Sequence, residues 1–481
     1  MKHKLHSHIR LRWNTLLSTL LPVLLLTLAA CAQTAPDARS VVSLPEKFTT
    51  SGSAELPAQW WQSFADPDLN SLIDRSLTGN LDLKSTWDRL RQAEAIQRKA
   101  GAGLFPTLDA EAAAGSIRSH QNNLTTNSRD FSLGLVARYE IDLWGRVRSD
   151  REATVFTTRA SAADLQAAAM TLSAQVAGTW YQLVEKQGQL ALLDRQITTN
   201  RKVLELITLR FRTGQAAIAD VLQQRQLVET NTGERARVAG EATVLQNRLS
   251  VLTGTAPGQL PLPYRAELIN LPPLPTTGIP AEQIKNRPDI RSAWYKVLAA
   301  DQRTAVAVAD RFPRLSISAR ATTGGDHTDE LFDNWLATLA GNLVAPLIDG
   351  GQRRAEVDRT RAVTSENLHN YGQTVLEALG EVENALAQEQ HQQEYLRSLE
   401  KQLELAQNVI DSIRDRYLNG AETYQRVLDA LLSYQRLQQN YLSGQRTLIQ
   451  YRIDLCRALG GGWELAPSDE TADSQRVSDA T

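Results

Sequence analysis

The sequence predicts a mixed α and β chain built twice over, each half carrying two bilayer-length strands and a helical hairpin of unusual length. Three observations predict it. Shifted by about 206 residues, the chain falls on itself: Leu104-Phe105-Pro106 answers Arg311-Phe312-Pro313, and Arg210-Phe211-Arg212-Thr213-Gly214 answers Arg416-Tyr417-Leu418-Asn419-Gly420. Each half holds two segments in which apolar residues recur at every second position, the period of a strand with one apolar face. Each half also holds a stretch whose apolar residues step by three and four, the spacing of a coiled-coil seam.

In chain order, residues 1–30 come first. Lys2, Lys4, Arg10 and Arg12 precede an apolar stretch from Leu16 to Ala30. A basic flank, a short apolar core and small residues before a cut describe a secretory signal, too short for the about 20 residues of a transmembrane helix. Leu28-Ala29-Ala30-Cys31 resembles a bacterial lipobox, which implies that Cys31 becomes the first mature residue and carries diacylglycerol and a palmitoyl chain. Residue 32 is Ala, not the Asp associated with retention in the inner membrane, so the outer membrane is the expected destination. With Cys31 committed to lipid, Cys456 has no disulfide partner in the same chain and reads as a packed thiol.

Residues 31–65 lead into the first repeat, 66–254. A helix over 68–101 precedes Phe105-Pro106, and a strand pair follows, 106–117 and 130–143. In the second strand Phe131, Leu133, Leu135, Ala137, Tyr139, Ile141 and Leu143 alternate with mostly polar residues. The polar stretch 118–129 between them reads as a loop. A helix over 146–213 comes next, with a seam at Leu190, Leu193, Ile197, Asn200, Leu204, Ile207 and Phe211, and then a return helix over 219–252. A proline-rich linker, 255–280, separates the repeats. The second, 281–460, repeats the order: helix 281–310, strands 313–323 and 334–346 around a polar loop, long helix 352–419 and return helix 423–459. Its seam is Leu396, Leu399, Leu403, Ala406, Ile410, Ile413 and Tyr417. A tail, 461–481, closes the chain.

Four strands cannot close a barrel, and an open edge in lipid leaves backbone groups unsatisfied. The chain therefore needs copies of itself. Two copies give a barrel of about eight strands whose interior side chains fill, whereas three leave a lumen, so a trimer suits a duct. Nothing points to bond chemistry. Beyond the signal the histidines are His120, His327, His369 and His391, in no metal-ligand or Ser-His-Asp arrangement, and no metal or other cofactor is expected. A whole-chain charge of −2, with no basic excess, gives no reason to expect a nucleic-acid partner.

Further segments carry a family resemblance: Trp60-Trp61-Gln62-Ser63-Phe64-Ala65-Asp66-Pro67, Tyr139-Glu140-Ile141-Asp142-Leu143-Trp144-Gly145-Arg146, Asn286-Arg287-Pro288-Asp289-Ile290 and Ala458-Leu459-Gly460-Gly461-Gly462-Trp463. Through them the chain resembles the TolC-like outer-membrane factors, in particular the NodT-type lipoproteins that serve tripartite efflux systems. The resemblance implies a homotrimer with a 12-stranded transmembrane β-barrel, an α-helical coiled-coil tunnel in the periplasm and an equatorial region from the linker and terminal segments. It implies partners as well: a periplasmic membrane-fusion adaptor, an inner-membrane pump of the resistance-nodulation-division type, and outer-membrane lipid. The expected function is passive export of drugs or other small toxic compounds, with polypeptides in type I secretion or metal ions as alternative cargo.

The same resemblance places adaptor contact at the two helix turns, at Arg210, Thr213 and Gly214 and at Arg416, Asn419 and Gly420. It places an acidic pore constriction at Asp429, with Asp220 as a second candidate. Gln425 and Leu432 stand where some relatives have an apolar gate residue and an arginine, so the details of a gate lock do not carry over. Gly214 and Gly420 also suit helix ends, and Asp220 suits a helix start, without any gate.

Overall fold

The computed structural model describes residues 42–121, 124–278, 280 and 286–460. The signal segment, Cys31, the 461–481 tail and the Gly461-Gly462-Trp463 part of the last motif lie outside them. The described residues divide into two compact units, one made of 99–154 and 297–366, the other of residues from 42–98, 155–296 and 367–460.

The first unit is built on one antiparallel sheet in the order β1-β2-β3-β4: Thr107–Gln121, Leu124–Ile141, Arg314–Gly325 and Trp335–Val344. The register decides what its faces are. Ala112 is opposite Leu133, Leu133 opposite Thr323, and Thr323 opposite Trp335; further down, Leu108 meets Ala137, Ala137 meets Ala319, and Ala319 meets Leu339. Directly opposite residues share a face, so the apolar rows of all four strands coincide. That face is exposed: Leu108 is 69%, Leu135 51%, Trp335 78% and Leu339 78% accessible. The other face carries an ion-pair ladder, with Arg138 on Asp109 at 3.1 Å and on Glu111 at 3.5 Å, and Arg320 on Glu111 at 2.8 Å.

The strands correct one expectation. Most of 118–129 is not loop: β1 and β2 continue the hairpin, pairing Arg118 with Asn127 and His120 with Thr125. No Gly or Pro interrupts Ser116–Asp130. The ladder bonds through backbone groups, so polar side chains on both faces do not end it. By contrast β3 stops at Gly324-Gly325, followed by a 3₁₀ turn at Thr328–Glu330, and β4 stops short of Pro346, which has no N–H to give the ladder.

The Tyr139–Arg146 motif is a strand-to-helix corner. Asp142 accepts from the Val147 and Arg148 N–H groups at 3.1 and 2.9 Å and so caps the helix that follows. Burial would raise the Asp142 pKa, but those amides and the Arg148 guanidinium hold it below the ordinary value. Trp144 donates to the Pro313 carbonyl at 2.8 Å and stacks on Phe312, with centroids 4.8 Å apart. Arg146 forks onto Glu140 at 2.9 and 2.8 Å. In the other half Asp349 accepts from Gly351 and Arg353 N–H groups at 3.0 and 3.3 Å and does the same capping.

The helices are α1 Pro67–Gly79, α2 Leu81–Ala102, α3 Arg146–Arg212, α4 Ile218–Leu252, α5 Pro288–Ala309, α6 Gln352–Leu418 and α7 Tyr424–Leu459. At 67 residues each, α3 and α6 are roughly 100 Å long. They begin 206 positions apart, at 146 and 352, and end 206 apart, at 212 and 418. The seams face inward: Leu193, Ile197, Asn200 and Ile207 of α3 are buried, as are Leu396, Leu399 and Tyr417 of α6. The last α3 position departs from this, since Phe211 is 40% exposed where its counterpart Tyr417 is 8%.

The helix expected over 68–101 is two helices. Asn80 breaks it with extended backbone (φ −64°, ψ 126°), and its side chain serves both sides. It donates to the Leu252 carbonyl at 3.0 Å and accepts from the Leu83 N–H at 2.9 Å, capping α2. A Cβ on Gly79 would lie 2.4 Å from the Thr253 carbonyl oxygen, so the break is where the chain crosses the end of α4. The expected 281–310 helix is described from Pro288, a residue suited to the first helical turn.

The second unit's core gathers Trp60, Trp61, Phe64, Leu69, Ile73, Trp180 and Tyr181. At its centre Asp66, fully buried, accepts from Trp180 Nε1 at 3.0 Å and Tyr181 Oη at 3.2 Å, pairs with Arg265 at 3.0 Å and caps α1 through the Asp68 and Leu69 N–H groups. This explains the Trp-Trp…Asp-Pro motif. The 255–278 segment forms neither helix nor strand, apart from one bridge between Ala54 and Pro275, and is fastened side chain by side chain. Arg452, buried against Glu389, donates to the Pro272 and Pro273 carbonyls at 2.8 and 3.0 Å. Cys456 is buried and free, its thiol pushed up to about 12 by burial, which leaves it inert.

Candidate functional site: the paired helix turns

The turn after α3 and the turn after α6 have one geometry because they solve one problem, ending a helix whose last carbonyls need donors. Gly214 and Gly420 each take φ +75°. Gln215 N–H reaches back to the Arg210 carbonyl at 2.7 Å and Ala421 N–H to the Arg416 carbonyl at 2.8 Å, while the glycine amides bond to Phe211 and Tyr417 at 3.0 Å. This is the Schellman pattern, with the residue in left-handed backbone following the helix. Beyond its own chain neighbours, no atom of the described residues lies within 4 Å of a Cβ built on either glycine, so backbone conformation selects it.

The structure brings the two turns together. Ile207, Val221 and Leu227 from one hairpin pack with Tyr417, Tyr424 and Leu428 from the other. The Arg210 guanidinium lies over the Tyr417 ring at 4.6 Å, in the range of a cation–π contact. Burial raises the Tyr417 pKa, and the nearby Arg210 charge opposes the rise. Thr213 Oγ1 bonds within its own helix end, and Asn419 Nδ2 donates to the Asp415 carbonyl at 2.8 Å. Arg416 pairs with Glu422 at 3.5 Å, a largely covered carboxylate that it shares with Arg426, while both guanidiniums are exposed.

The two acids differ. Asp220 accepts from the Ala217 N–H at 3.1 Å at the start of α4, where the helix dipole favours a negative charge. Ala217 has no side chain to return the bond. Asp429 stands one turn after Gln425 on α7, exposed, with Gln425 Nε2 donating to it at 3.1 Å. Leu432 is 37% exposed on the same helix.

Behind the turns lies a buried polar layer that sequence reading did not single out. Tyr424 Oη donates to Gln224 Oε1, Gln224 Nε2 donates to the Asn200 carbonyl at 2.7 Å, and Gln435 bridges Asn200 and Asn231 at 3.3 and 3.4 Å. Asn200 in an otherwise apolar seam was the visible signal, since a polar seam residue sets register at a cost in stability. Tyr417 Oη, Asn200 Nδ2 and Arg210 Nε have no hydrogen-bond partner among the described residues. No group of three or more His, Cys, Asp or Glu among those residues is placed to hold a metal ion.

Long paired hairpins and a four-stranded sheet with an exposed apolar face invite comparison with known channels. The family model described as outer membrane efflux protein matches residues 72–255 and again 279–461. The chain is 30% identical over 452 residues to the pyoverdine export outer membrane protein OpmQ of Pseudomonas aeruginosa, covering 91% of this chain and 95% of that protein. It is 30% identical over 415 residues to the toluene efflux pump outer membrane protein TtgI of Pseudomonas putida, covering 84% and 87%. Among solved structures, the outer-membrane channel OprN superposes with a TM-score of 0.84 at 27% identity, over 90% of this chain and 99% of that one. The open state of the Neisseria gonorrhoeae MtrE outer membrane channel superposes with a TM-score of 0.78 at 26% identity, over 89% and 97%. Matched by the family model in both halves and aligned with relatives almost end to end, the chain belongs to the outer membrane efflux protein family and is an outer-membrane efflux channel protein.

Proposed function

We propose that three copies of this chain join their sheets edge to edge into one 12-stranded barrel, and that the duct so formed conducts small toxic organic compounds to the exterior. One observation carries this reading: the sheet ends in two edge strands, β1 and β4, and has one apolar and one charged face. A lipid-spanning sheet tolerates no open edge, and a barrel with a lumen puts apolar residues outward and polar ones inward. The 206-residue offset between α3 and α6 and the double match of the family model support an internal duplication as the origin of the two hairpins.

In this reading Cys31 is lipidated and anchors the chain, and the turns at Arg210, Thr213, Gly214, Arg416, Asn419 and Gly420 meet a periplasmic membrane-fusion adaptor. Asp429 faces the lumen, where three copies narrow it, while Asp220 serves mainly its own helix. An inner-membrane pump of the resistance-nodulation-division type supplies the energy and selects the cargo. The relatives named for toluene efflux and pyoverdine export support small organic molecules as the cargo class. Crosslinking in cells followed by purification is expected to recover an adaptor and such a pump, and deletion of the gene to raise drug sensitivity. Recovery of neither, with unchanged sensitivity, refutes the assignment.

A further inference from the structure

The upper part of the β1–β2 hairpin carries charges that neither the barrel nor its lumen uses. The β1–β2 register places Ser116 opposite Arg129, Arg118 opposite Asn127 and His120 opposite Thr125. Side chains alternate along a strand, so Arg118, His120 and Arg129 share the face of Leu108, Ala110, Phe131 and Leu133, the apolar face, and not that of Asp109, Glu111 and Arg138. Arg118 and Arg129 are diagonal neighbours, within reach of one ligand.

Their height above the apolar band follows from strand geometry. From Phe131 to Ile141 the apolar row of β2 is about 34 Å long. At a tilt of about 40° it covers about 26 Å, the height of a barrel's lipid belt. Phe131 and the 78% exposed Trp335, level with Leu133 across the sheet, form the aromatic border at the hairpin end. Arg129 lies two residues past that border and Arg118, paired with Asn127, four. At the same rise and tilt they stand about 5 and 10 Å beyond the belt, at headgroup depth.

The two faces also treat their arginines differently. On the charged face Arg138 pairs with Asp109 and Glu111, and Arg320 with Glu111. Arg118 and Arg129 are both exposed, and neither forms an ion pair with any described residue. The carboxylates of the β3–β4 connection, Asp326, Asp329, Glu330 and Asp333, leave both unpaired as well. His120 Nδ1 lies 2.9 Å from Thr125 Oγ1, its cross-strand partner on the same face. Guanidinium groups match phosphate oxygens in a bidentate way.

We propose that Arg118 and Arg129, with His120 beside them, bind the phosphate groups of outer-leaflet glycolipid, one site per protomer. The proposal rests on the barrel reading, which puts this face in lipid and this hairpin end outside. The full-length protein, purified in detergent, is titrated by native mass spectrometry with diphosphoryl lipid A, monophosphoryl lipid A and phosphatidylcholine. Wild-type protein is expected to prefer diphosphoryl lipid A, then monophosphoryl, over phosphatidylcholine. The double variant Arg118→Gln/Arg129→Gln should bind diphosphoryl lipid A about 25-fold more weakly, at unchanged oligomer mass. The charge-preserving Arg118→Lys/Arg129→Lys should retain most of the affinity, which separates charge from misfolding. Equal binding of all three lipids, or Gln-variant binding equal to wild type, overturns the proposal. Displacement of the lipid by a modest excess of inorganic phosphate overturns the lipid source. The barrel reading has its own check: Ser128→Cys should react with a membrane-impermeant maleimide on intact cells. Labelling there without a lipid preference sinks this inference alone.

Discussion

Asp220 and Asp429 show how two acids beside similar turns come to differ. Asp220 is used locally, its carboxylate on the Ala217 N–H and its charge at a helix N-terminus. Among the described residues Asp429 has only Gln425 as a hydrogen-bond partner, and it is exposed. If three Asp429 carboxylates meet around an axis, their repulsion must be restrained by the packing of Tyr417, Tyr424 and Leu428 behind them. Asp429→Ala is therefore expected to raise the resting conductance of the purified channel severalfold. Asp220→Ala is expected to leave conductance unchanged and to cost about 0.3–1 kcal/mol through the lost dipole interaction; single-channel recording separates them. Asp429 could be named because the family resemblance carries an acid to that position, beside a turn legible in Asn419-Gly420. The Tyr424–Gln224–Asn200–Gln435 layer could not, because a seam shows that a residue points inward and not which hairpin it meets.

The helices and the strands differ in legibility for a physical reason. A helix 67 residues long states its period many times over and ends at a glycine that only a left-handed turn requires, so α3 and α6 end within a residue of expectation. The β1–β2 hairpin states its period only where one face is apolar. Beyond Phe131 both faces are mostly polar, the alternation vanishes, and the ladder continues unseen to Gln121 and Leu124. The break at Asn80 was hidden likewise, since its cause is the Thr253 carbonyl, remote in sequence. Long-range fastening also governs the linker, where Arg452 holds two proline carbonyls from α7 while sharing a buried ion pair with Glu389 of α6. Arg452→Met strands the Glu389 carboxylate and is expected to cost about 3–5 kcal/mol. Arg452→Met with Glu389→Leu removes both charges and should recover much of that, leaving the loss of the two carbonyl bonds. Thermal unfolding of the detergent-purified protein measures both, and equal loss in the single and double variants would show that the ion pair is not the cause.

For the whole molecule, the two halves of the chain supply like parts that are incomplete alone. Two hairpins pack at their turns and four strands share one apolar face, yet β1 and β4 remain edges. Fold and family were both readable from the 206-residue self-similarity, the alternating strands and the Trp60–Pro67 and Tyr139–Arg146 motifs, whose residues prove to form a buried acid site and a strand-to-helix corner. In the proposed reading closure belongs to the assembly, and the most direct test weighs that assembly and asks whether it conducts. Native mass spectrometry of the detergent-solubilised protein, with planar-bilayer recording on the same preparation, should give a particle of three chains that opens discrete channels. A stable monomer or dimer that conducts as well as any larger species, or a trimer that conducts nothing, would contradict the account.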